Sequence, residues 1–240
     1  MPSIGLMTQS WCQKHQLPVE YFTALDSTST YAKTLMNDPL ENHKPLHLVL
    51  TDSQTSGRGR GTHTWINGEP GTNLLSTWSF RLTRPPQPVT SARAGVALYT
   101  AASKAWPDGN FSLKAPNDLY LGDKKVAGLL LEAIEQGPHI RLLVGLGMNV
   151  FNTPALDIAT SLKSQIDEEL LISNWEFFLS ELYKELQIAC DQLSNLLSTF
   201  DCERLLEALN KFPKLEEKYT EIEPEGSLRT PTKVIHWWDL

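Results

Sequence analysis

Residues 125–150 read KVAGLLLEAIEQGPHIRLLVGLGMNV, and this segment indicates the architecture most clearly. Two long apolar runs flank the turn residues Gln136-Gly137-Pro138, a pattern that predicts an antiparallel β-hairpin. If the first strand alternates from Lys125, that lysine shares a face with apolar side chains, so it needs a polar partner or must extend to water. Gly128 in mid-strand indicates close approach by a ligand or by a neighbouring backbone.

Further strands are predicted on both sides of this hairpin, in short apolar runs bounded by turn residues. They cover residues 46–50, 73–81, 111–114 and 119–121. Residues 211–240 have room for two or three more strands. Because the strands are grouped centrally and helices are predicted towards both ends, we expect an α+β fold in which a mixed β-sheet is backed by helices.

Helices are predicted where hydroxyl side chains precede alanine-rich or amphipathic segments. The predicted helices are 31–36 after caps at 27–30, 91–106 after Thr90, a long helix with apolar positions from Trp175 through Leu193 to Leu196, and 201–210. Ser173 and Glu176 match a capping box, which predicts that the long helix begins there.

Composition excludes several classes of protein. The 240 residues carry a formal net charge of −7 and no Lys/Arg-rich run, so we expect no nucleic-acid partner. Three cysteines without a C-x-x-C motif fit a reducing compartment and predict no zinc site. No apolar run reaches a membrane-spanning length and no leader pattern opens the chain, so we expect a cytoplasmic protein without membrane contact.

A loop rich in glycine and arginine follows the run at 46–50. Residues 54–65 read QTSGRGRGTHTW, in which Arg58 and Arg60 alternate with glycines. Glycine lets main-chain N–H groups approach a ligand, and each guanidinium offers a planar fork to phosphate or carboxylate. In an acidic chain this favours a local anion site, and the alternative is a solvated, flexible loop. It is not a Walker loop, because G-x-x-x-x-G-K-[ST] is absent.

Two further segments carry groups that suit a nucleotide. In residues 114–120, KAPNDLY, Pro116 stiffens a turn that presents Asn117 and Asp118 beside Lys114. An ammonium suits phosphate, a carboxylate suits a metal ion, and an amide gives orientation. The alternative is an ordinary turn with a surface lysine. Residues 145–149, GLGMN, end a strand in the amide of Asn149, although two glycines there also fit a simple bend.

Taken in order and spacing, these segments resemble the catalytic domain of the biotin protein ligases over roughly residues 20–200. The motifs that carry the resemblance are Asp26-Ser27-Thr28, Gln54 with Gly57-Arg58-Gly59-Arg60, Trp65, Gly71-Thr72-Asn73, Lys114-x-Pro116-Asn117-Asp118, Lys125-x-x-Gly128, Gly145-x-Gly147-x-Asn149 and Ala159-Thr160-Ser161-Leu162. The resemblance implies the fold that biotin ligases share with lipoate ligases and, distantly, with class II aminoacyl-tRNA synthetases.

The resemblance also implies an activity. Such an enzyme joins biotin to ATP, forming biotinoyl-5′-AMP and pyrophosphate, and then transfers the biotinoyl group to a lysine of the biotin carboxyl carrier protein of acetyl-CoA carboxylase. ATP, Mg²⁺ and biotin as substrate are the small molecules implied. A lipoate or octanoate protein ligase and a non-catalytic biotin-binding relative are the alternatives, and a homodimer is left open.

Specific residues are implied by the matching motifs. Those expected to bind biotin are Ser27, Thr28, Ser29, Gln54, Arg58, Gly59, Arg60, Lys125 and Gly128. Those expected to bind ATP or the adenylate are Arg58, Arg60, Trp65, Lys114, Asn117, Asp118 and Asn149. Catalytic roles fall to Lys125, Arg58 and Lys114, and Mg²⁺ is expected to come with ATP near Asp118 rather than at a metal site of its own.

The sequence departs from the family pattern in places. Ala115 stands where the family usually has tryptophan, Ser29 where asparagine is common, and Gly61 where some members carry another arginine. We expect residues 1–210 to form the catalytic domain and 211–240 a short remnant of a C-terminal β domain. The ligase motifs begin by residue 26, so we expect no DNA-binding helix-turn-helix before them.

Overall fold

The computed structural model describes residues 3–38, 40, 43–191 and 194–237. The chain divides into two compact units, Met1–Pro85 with Val126–Glu168, and Pro86–Lys125 with Glu169–Leu240. The predicted boundary of a catalytic domain at residue 210 stays a prediction.

Strands and helices are numbered in chain order within these residues. The strands are β1 (Val19–Phe22), β2 (Leu46–Thr51), β3 (Asn73–Leu82), β4 (Phe111–Lys114), β5 (Asp118–Leu121), β6 (Lys124–Gln136), β7 (His139–Asn149), β8 (Glu221–Ile222), β9 (Ser227–Arg229) and β10 (Val234–His236). The α-helices are α1 (Ile4–Lys14), α2 (Thr28–Thr34), α3 (Thr90–Ala105), α4 (Glu168–Asp191) and α5 (Thr199–Asn210).

In the first unit the strand order is β1-β2-β3-β7-β6. The β1–β2 pair is parallel and the other pairs are antiparallel, so the predicted mixed sheet is confirmed. The hairpin predicted at 125–150 is present as β6 and β7, joined by a turn in which Gly137 has a positive φ of 57°. That conformation is one that glycine adopts without steric cost.

Helices α1 and α2 cover opposite faces of this sheet. Trp11 of α1 packs on Trp78 of β3 with ring centroids 6.0 Å apart. Thr77, which precedes Trp78 in β3, makes hydrogen bonds to residues of α2; its Oγ1 lies 2.9 Å from Thr28 Oγ1. Successive side chains of a strand point to opposite faces, which places the two helices on the two sides. The face of Thr77 is the one that carries the polar residues described below.

The second unit contains α3, most of α4, α5, the β4–β5 hairpin and a small antiparallel sheet of β8, β9 and β10. Trp106, Trp175 and Phe178 pack together in its core, with centroid separations of 5.0–6.3 Å. The small sheet confirms the prediction that residues 211–240 hold two or three strands; Trp238–Leu240 lie outside the described residues.

Two predictions about helices were wrong. The long helix begins at Glu168, so Ser173 is internal and its hydroxyl donates to Leu170 O. The capping box instead lies at Ser198 and Asp201, at the start of α5. Thr90 is the first residue of α3 rather than its cap, and its hydroxyl accepts from Gln87 N.

The sequence reading also missed two elements and overextended a third. Helix α1, with its cap Ser3, and strand β1 were not predicted. Helix α4 ends at Asp191, so Leu196 lies after the helix, and Leu193 falls outside the described residues.

Candidate active site

The Gly-Arg loop forms a small hairpin, which we call the Gly-Arg hairpin (57–65). Trp65 N donates to Gly57 O at 3.0 Å, and Gly59 N donates to His63 O at 2.9 Å. A Cβ at Gly57 would lie 2.7 Å from Trp65 O, and one at Gly59 would lie 3.1 Å from His63 O. These glycines therefore let the two arms of the hairpin approach each other, a reason that differs from the ligand approach expected from the sequence.

Arg58 extends from this hairpin to β6, where Glu132 binds it through two hydrogen bonds. Arg58 Nη1 donates to Glu132 Oε2 at 3.0 Å, and Nη2 donates to Oε1 at 2.8 Å. Lys33 Nζ donates to the same Oε1 at 2.7 Å. Burial acts to raise the pKa of Glu132, but the hydrogen bonds and charges of Lys33 and Arg58 lower that pKa overall. Glu132 is therefore a carboxylate held ionised by two cations.

A chain of hydrogen bonds joins α2, β3 and Gln54. Gln54 Oε1 accepts from Thr28 N at 2.8 Å and from Thr28 Oγ1 at 3.2 Å. Thr77 Oγ1 donates to Thr28 Oγ1 at 2.9 Å and lies 3.2 Å from Ser29 Oγ. Because each hydroxyl has one proton, Ser29 must be the donor to Thr77. The hydroxyl protons therefore all run towards Gln54 Oε1. Ser27, also predicted to bind biotin, caps α2, its hydroxyl accepting from Thr30 N.

Two glycines of β7 leave space on this face for other side chains. A Cβ at Gly147 would lie 2.5 Å from Trp65 Cε2, so the indole of Trp65 rests where a side chain would otherwise stand. A Cβ at Gly145 would lie 2.9 Å from Ser29 Oγ. Gly147 pairs in register with Gly128 of β6. We call the side of the sheet that carries Thr77, Gly145, Gly147, Gly128 and Glu132 the glycine face.

Asn149 ends β7 with its side chain almost fully buried, at 2% exposure. Its Nδ2 donates to Thr160 O at 3.0 Å. Its Oδ1 is buried and has no hydrogen-bond partner among the described residues. A buried acceptor without a donor costs about 1–3 kcal/mol, so a ligand N–H at this position would be favourable.

Arg60 lies in the Gly-Arg hairpin, and four other predicted residues, Lys114, Asn117, Asp118 and Lys125, belong to the second unit. Lys114 and Asp118 are cross-strand partners, and Asn117 lies in the turn that joins them. Lys125 Nζ lies 2.7 Å from Asp118 Oδ1, which is the polar partner that the sequence required for this lysine. Asp118 is therefore engaged by an ammonium group rather than set among other carboxylates.

Neither a metal cluster nor a membrane span is found in the part of the chain that the structure describes. No group of three His, Cys, Asp or Glu side chains is placed to hold a metal ion. No helix there combines the length and the apolar character that crossing a membrane requires.

Three residues of the glycine face and its surroundings were missed as site candidates: Thr77, Glu132 and Lys33. A signal for Glu132 was present, because it lies four residues after Gly128 and so shares its face in a strand of leucines. Thr77 and Lys33 carried no comparable signal, since their partners come from distant parts of the chain.

Comparison with known proteins identifies relatives. Residues 21–149, more than half of the chain, match the biotin/lipoate A/B protein ligase family. The bifunctional ligase/repressor BirA of Bacillus subtilis is 30% identical over 162 residues, which cover 62% of this chain and 47% of that protein. The biotin–[acetyl-CoA-carboxylase] ligase of Paracoccus denitrificans is 36% identical over 114 residues, covering 44% of this chain and 45% of that protein. The chain thus spans about half the length of these relatives.

A solved structure shares the fold. The biotin protein ligase of Leishmania major, in complex with biotinyl-5-AMP, aligns with a TM-score of 0.62 at 21% identity, covering 90% of this chain and 97% of that one. This likeness confirms the fold expected from the sequence, an α+β arrangement with a mixed sheet backed by helices.

Proposed function

Because the chain belongs to the biotin/lipoate A/B protein ligase family, we propose that it joins biotin to ATP and transfers the biotinoyl group to a carrier lysine. The first step yields biotinoyl-5′-AMP and pyrophosphate. The Paracoccus relative is a biotin–[acetyl-CoA-carboxylase] ligase, which favours the biotin carboxyl carrier protein of acetyl-CoA carboxylase as the acceptor. A cytoplasmic location stays a prediction, and so does a homodimer.

The observation that carries this proposal is the hydrogen-bond chain from Ser29 to Gln54. The ureido ring of biotin has one C=O acceptor and two N–H donors. Since Gln54 Oε1 already accepts from Thr28, the amide nitrogen of Gln54 is the group left to donate to the ureido oxygen. Since Ser29 donates to Thr77, the oxygen of Ser29 is left to accept from a ureido N–H. The hydrogen-bond chain thus leaves one donor, on Gln54, and one acceptor, on Ser29, which are the groups that the ureido oxygen and a ureido N–H of biotin need.

The same chain of hydrogen bonds disfavours lipoate as the ligand. The dithiolane ring of lipoate has no N–H and no C=O, so it would bury polar groups without giving them partners. Each such group costs about 1–3 kcal/mol, so two of them favour biotin over lipoate by about thirtyfold or more.

The first chemical step brings two anions together. An oxygen of the biotin carboxylate attacks the α-phosphorus of ATP, a new O–P bond forms, and the bond to the β-phosphate oxygen breaks as pyrophosphate leaves. At ~4 Å and an effective dielectric constant of ~20, two unit charges repel by about 4 kcal/mol. By the resemblance, Arg58, Arg60, Lys114 and Lys125 supply the positive charge that offsets this repulsion.

Mg²⁺ belongs to this proposal as part of the substrate, MgATP. Asp118, the carboxylate expected near it, is engaged by Lys125, and the described residues supply no cluster of carboxylates. These residues do not fit a resident metal site, and Mg²⁺ typically keeps several waters and is held largely by nucleotide phosphates.

The adenylate must then be kept from water until the carrier arrives. By the resemblance, Trp65 packs on the adenylate, and Asn149 and Asn117 lie on its nucleotide side. The buried, unsatisfied oxygen of Asn149 supports this assignment, because an adenine amino group would give it a donor. In the second step the neutral carrier amine attacks the acyl carbon, AMP leaves, and the new amide nitrogen loses its extra proton.

The direct test incubates the purified chain with MgATP, biotin and an apo carrier domain. We expect one biotinoyl group on the carrier by mass spectrometry, dependent on ATP. Carrier that remains unmodified while the folded chain binds biotin would select the non-catalytic alternative. A parallel incubation in which lipoate replaces biotin, and which gave more modified carrier than biotin does, would select the lipoate ligase.

A further inference from the structure

We propose that Glu132 is a positioning residue that holds the Gly-Arg hairpin on the sheet in the ligand-free protein, and that substrate binding exchanges its carboxylate at Arg58 for an anion of the ligand. The second half of this inference rests on the proposed function, whereas the first half concerns the protein alone.

The geometry of the Arg58–Glu132 pair supports the holding role. The two parallel hydrogen bonds, at 2.8 and 3.0 Å, match the fork of a guanidinium to both oxygens of a carboxylate. Glu132 is largely buried, with 19% of its side chain exposed, whereas Arg58 is 39% exposed. The partner on the sheet is therefore fixed by its surroundings, and the partner on the hairpin is the one that can move.

The hairpin has a second side-chain anchor on the same face. Trp65 rests on Gly147, and Arg58 reaches Glu132 on the neighbouring strand β6. The main-chain bonds from Trp65 N to Gly57 O and from Gly59 N to His63 O run within the hairpin and do not tie it to the sheet. Loss of the Arg58 anchor would therefore leave the arginine-bearing arm less well held.

Lys33 makes the exchange feasible. A buried carboxylate that loses its only cation is destabilised strongly. Here Lys33 Nζ also lies 2.7 Å from Glu132 Oε1, so Glu132 would keep a counterion after Arg58 leaves. Arg58 can then offer the same two donors to a ligand carboxylate or phosphate, which present the same pair of acceptor oxygens. Lys33 and Glu132 thus set how easily Arg58 is released.

This arrangement predicts opposite effects for two substitutions. Glu132→Gln removes the charge that holds Arg58 and should loosen the hairpin. Lys33→Met removes the resident counterion, so Glu132 should hold Arg58 more tightly and resist the exchange. A role limited to packing would not move these two variants in opposite directions.

Limited trypsinolysis without ligand tests whether Glu132 holds the Gly-Arg hairpin, because Arg58 and Arg60 are cleavage sites in the hairpin. Mass spectrometry follows the two cuts in wild type, Glu132→Gln, Lys33→Met and the control Glu135→Gln, an exposed glutamate of the same strand. For Glu132→Gln we expect cleavage about fivefold faster, since cleavage follows the population of the opened segment and a partly exposed pair contributes modestly. Lys33→Met should be cut more slowly than wild type, and Glu135→Gln should be cut at the wild-type rate. Equal rates for Glu132→Gln and wild type would overturn the holding role.

The kinetics of adenylate formation test whether a ligand anion replaces Glu132 at Arg58. Lys33→Met should raise the KM for biotin severalfold with kcat little changed, because the cost of releasing Arg58 enters substrate binding. An unchanged KM in an active Lys33→Met variant would overturn the exchange. If wild type itself formed no adenylate, the proposed function would fail, while the trypsin rates would still decide the holding role.

Discussion

At the scale of single residues, hydrogen-bond direction carries most of the functional argument. The chain of hydrogen bonds depends on Thr77. The hydroxyl of Thr77 donates its one proton to Thr28, so Ser29 must donate to Thr77. The motif containing Ser27 and Thr28 was recognisable from sequence, but the strand residue that orients it was not. Its partners lie 48 and 49 residues away, and such distances are set by the fold.

Replacement of Thr77 by valine keeps the shape and removes the hydroxyl. We expect the KM for biotin to rise about fivefold, because a lost hydrogen bond is worth about 0.5–1.5 kcal/mol, while kcat changes little. Thr8→Val is the matched control, since Thr8 is also buried and donates to Ile4 O in α1. Equal KM values for Thr77→Val and Thr8→Val would remove Thr77 from biotin recognition.

Lys125 is the residue with the most direct chemical role in the proposal. Lys125→Ala should lower the rate of adenylate formation about a hundredfold, since removal of a group that stabilises developing charge costs about 2.7–4 kcal/mol. Lys124→Ala, at the exposed neighbouring lysine, is the control. Circular dichroism checks that both variants fold, and a Lys125→Ala enzyme as fast as the control would show that the assignment is wrong.

Gly147 matters because it has no side chain, which leaves space for the indole of Trp65. In Gly147→Ala the new Cβ would meet Trp65 at 2.5 Å, so the indole must move. We expect biotinoyl-AMP to dissociate about tenfold faster, because stacking of an aromatic side chain on a base contributes about 1–3 kcal/mol. Gly95→Ala in α3 is the control, where the nearest atom would lie at 3.7 Å. Rapid dilution of the preformed complex measures both rates.

At the scale of elements, regular patterns were predictable and local motifs were less so. The β6–β7 hairpin was predicted from two apolar runs and a turn, because a strand buried in a sheet is apolar along most of its length. The Ser173–Glu176 motif was misleading, because the apolar period of α4 already begins with Leu171, before the supposed cap. Helix α1 was missed because its residues are mixed in polarity, and the contact of Trp11 with Trp78 of β3 cannot be seen in the sequence.

The two capping motifs can be compared directly. Ser198→Ala should lower the free energy of unfolding by about 1 kcal/mol, since it removes the N-cap of α5. Ser173→Ala, inside α4, should change that free energy by no more than a few tenths of a kcal/mol or raise it slightly, because alanine has the higher helix propensity. Urea unfolding measures both, and a greater loss for Ser173→Ala would contradict the observed start of α4.

At the scale of the whole molecule, the net charge of −7 makes the location of each cation informative. Arg58 and Lys125 were predicted to serve anionic substrates, and both have a carboxylate partner, Glu132 and Asp118 respectively. Sequence patterns could identify the cations but not these partners, because Glu132 is 74 residues from Arg58. The two cations that the proposal assigns to anionic substrates are thus both paired with carboxylates.

Biotin-dependent exchange of labelled pyrophosphate into ATP shows whether the protein activates biotin, because it reports reversible formation of biotinoyl-AMP without a carrier protein. We predict exchange that requires both the folded chain and biotin, and that lipoate does not support. Absence of exchange from a chain that binds biotin and MgATP, or exchange supported by lipoate and not by biotin, would contradict the account.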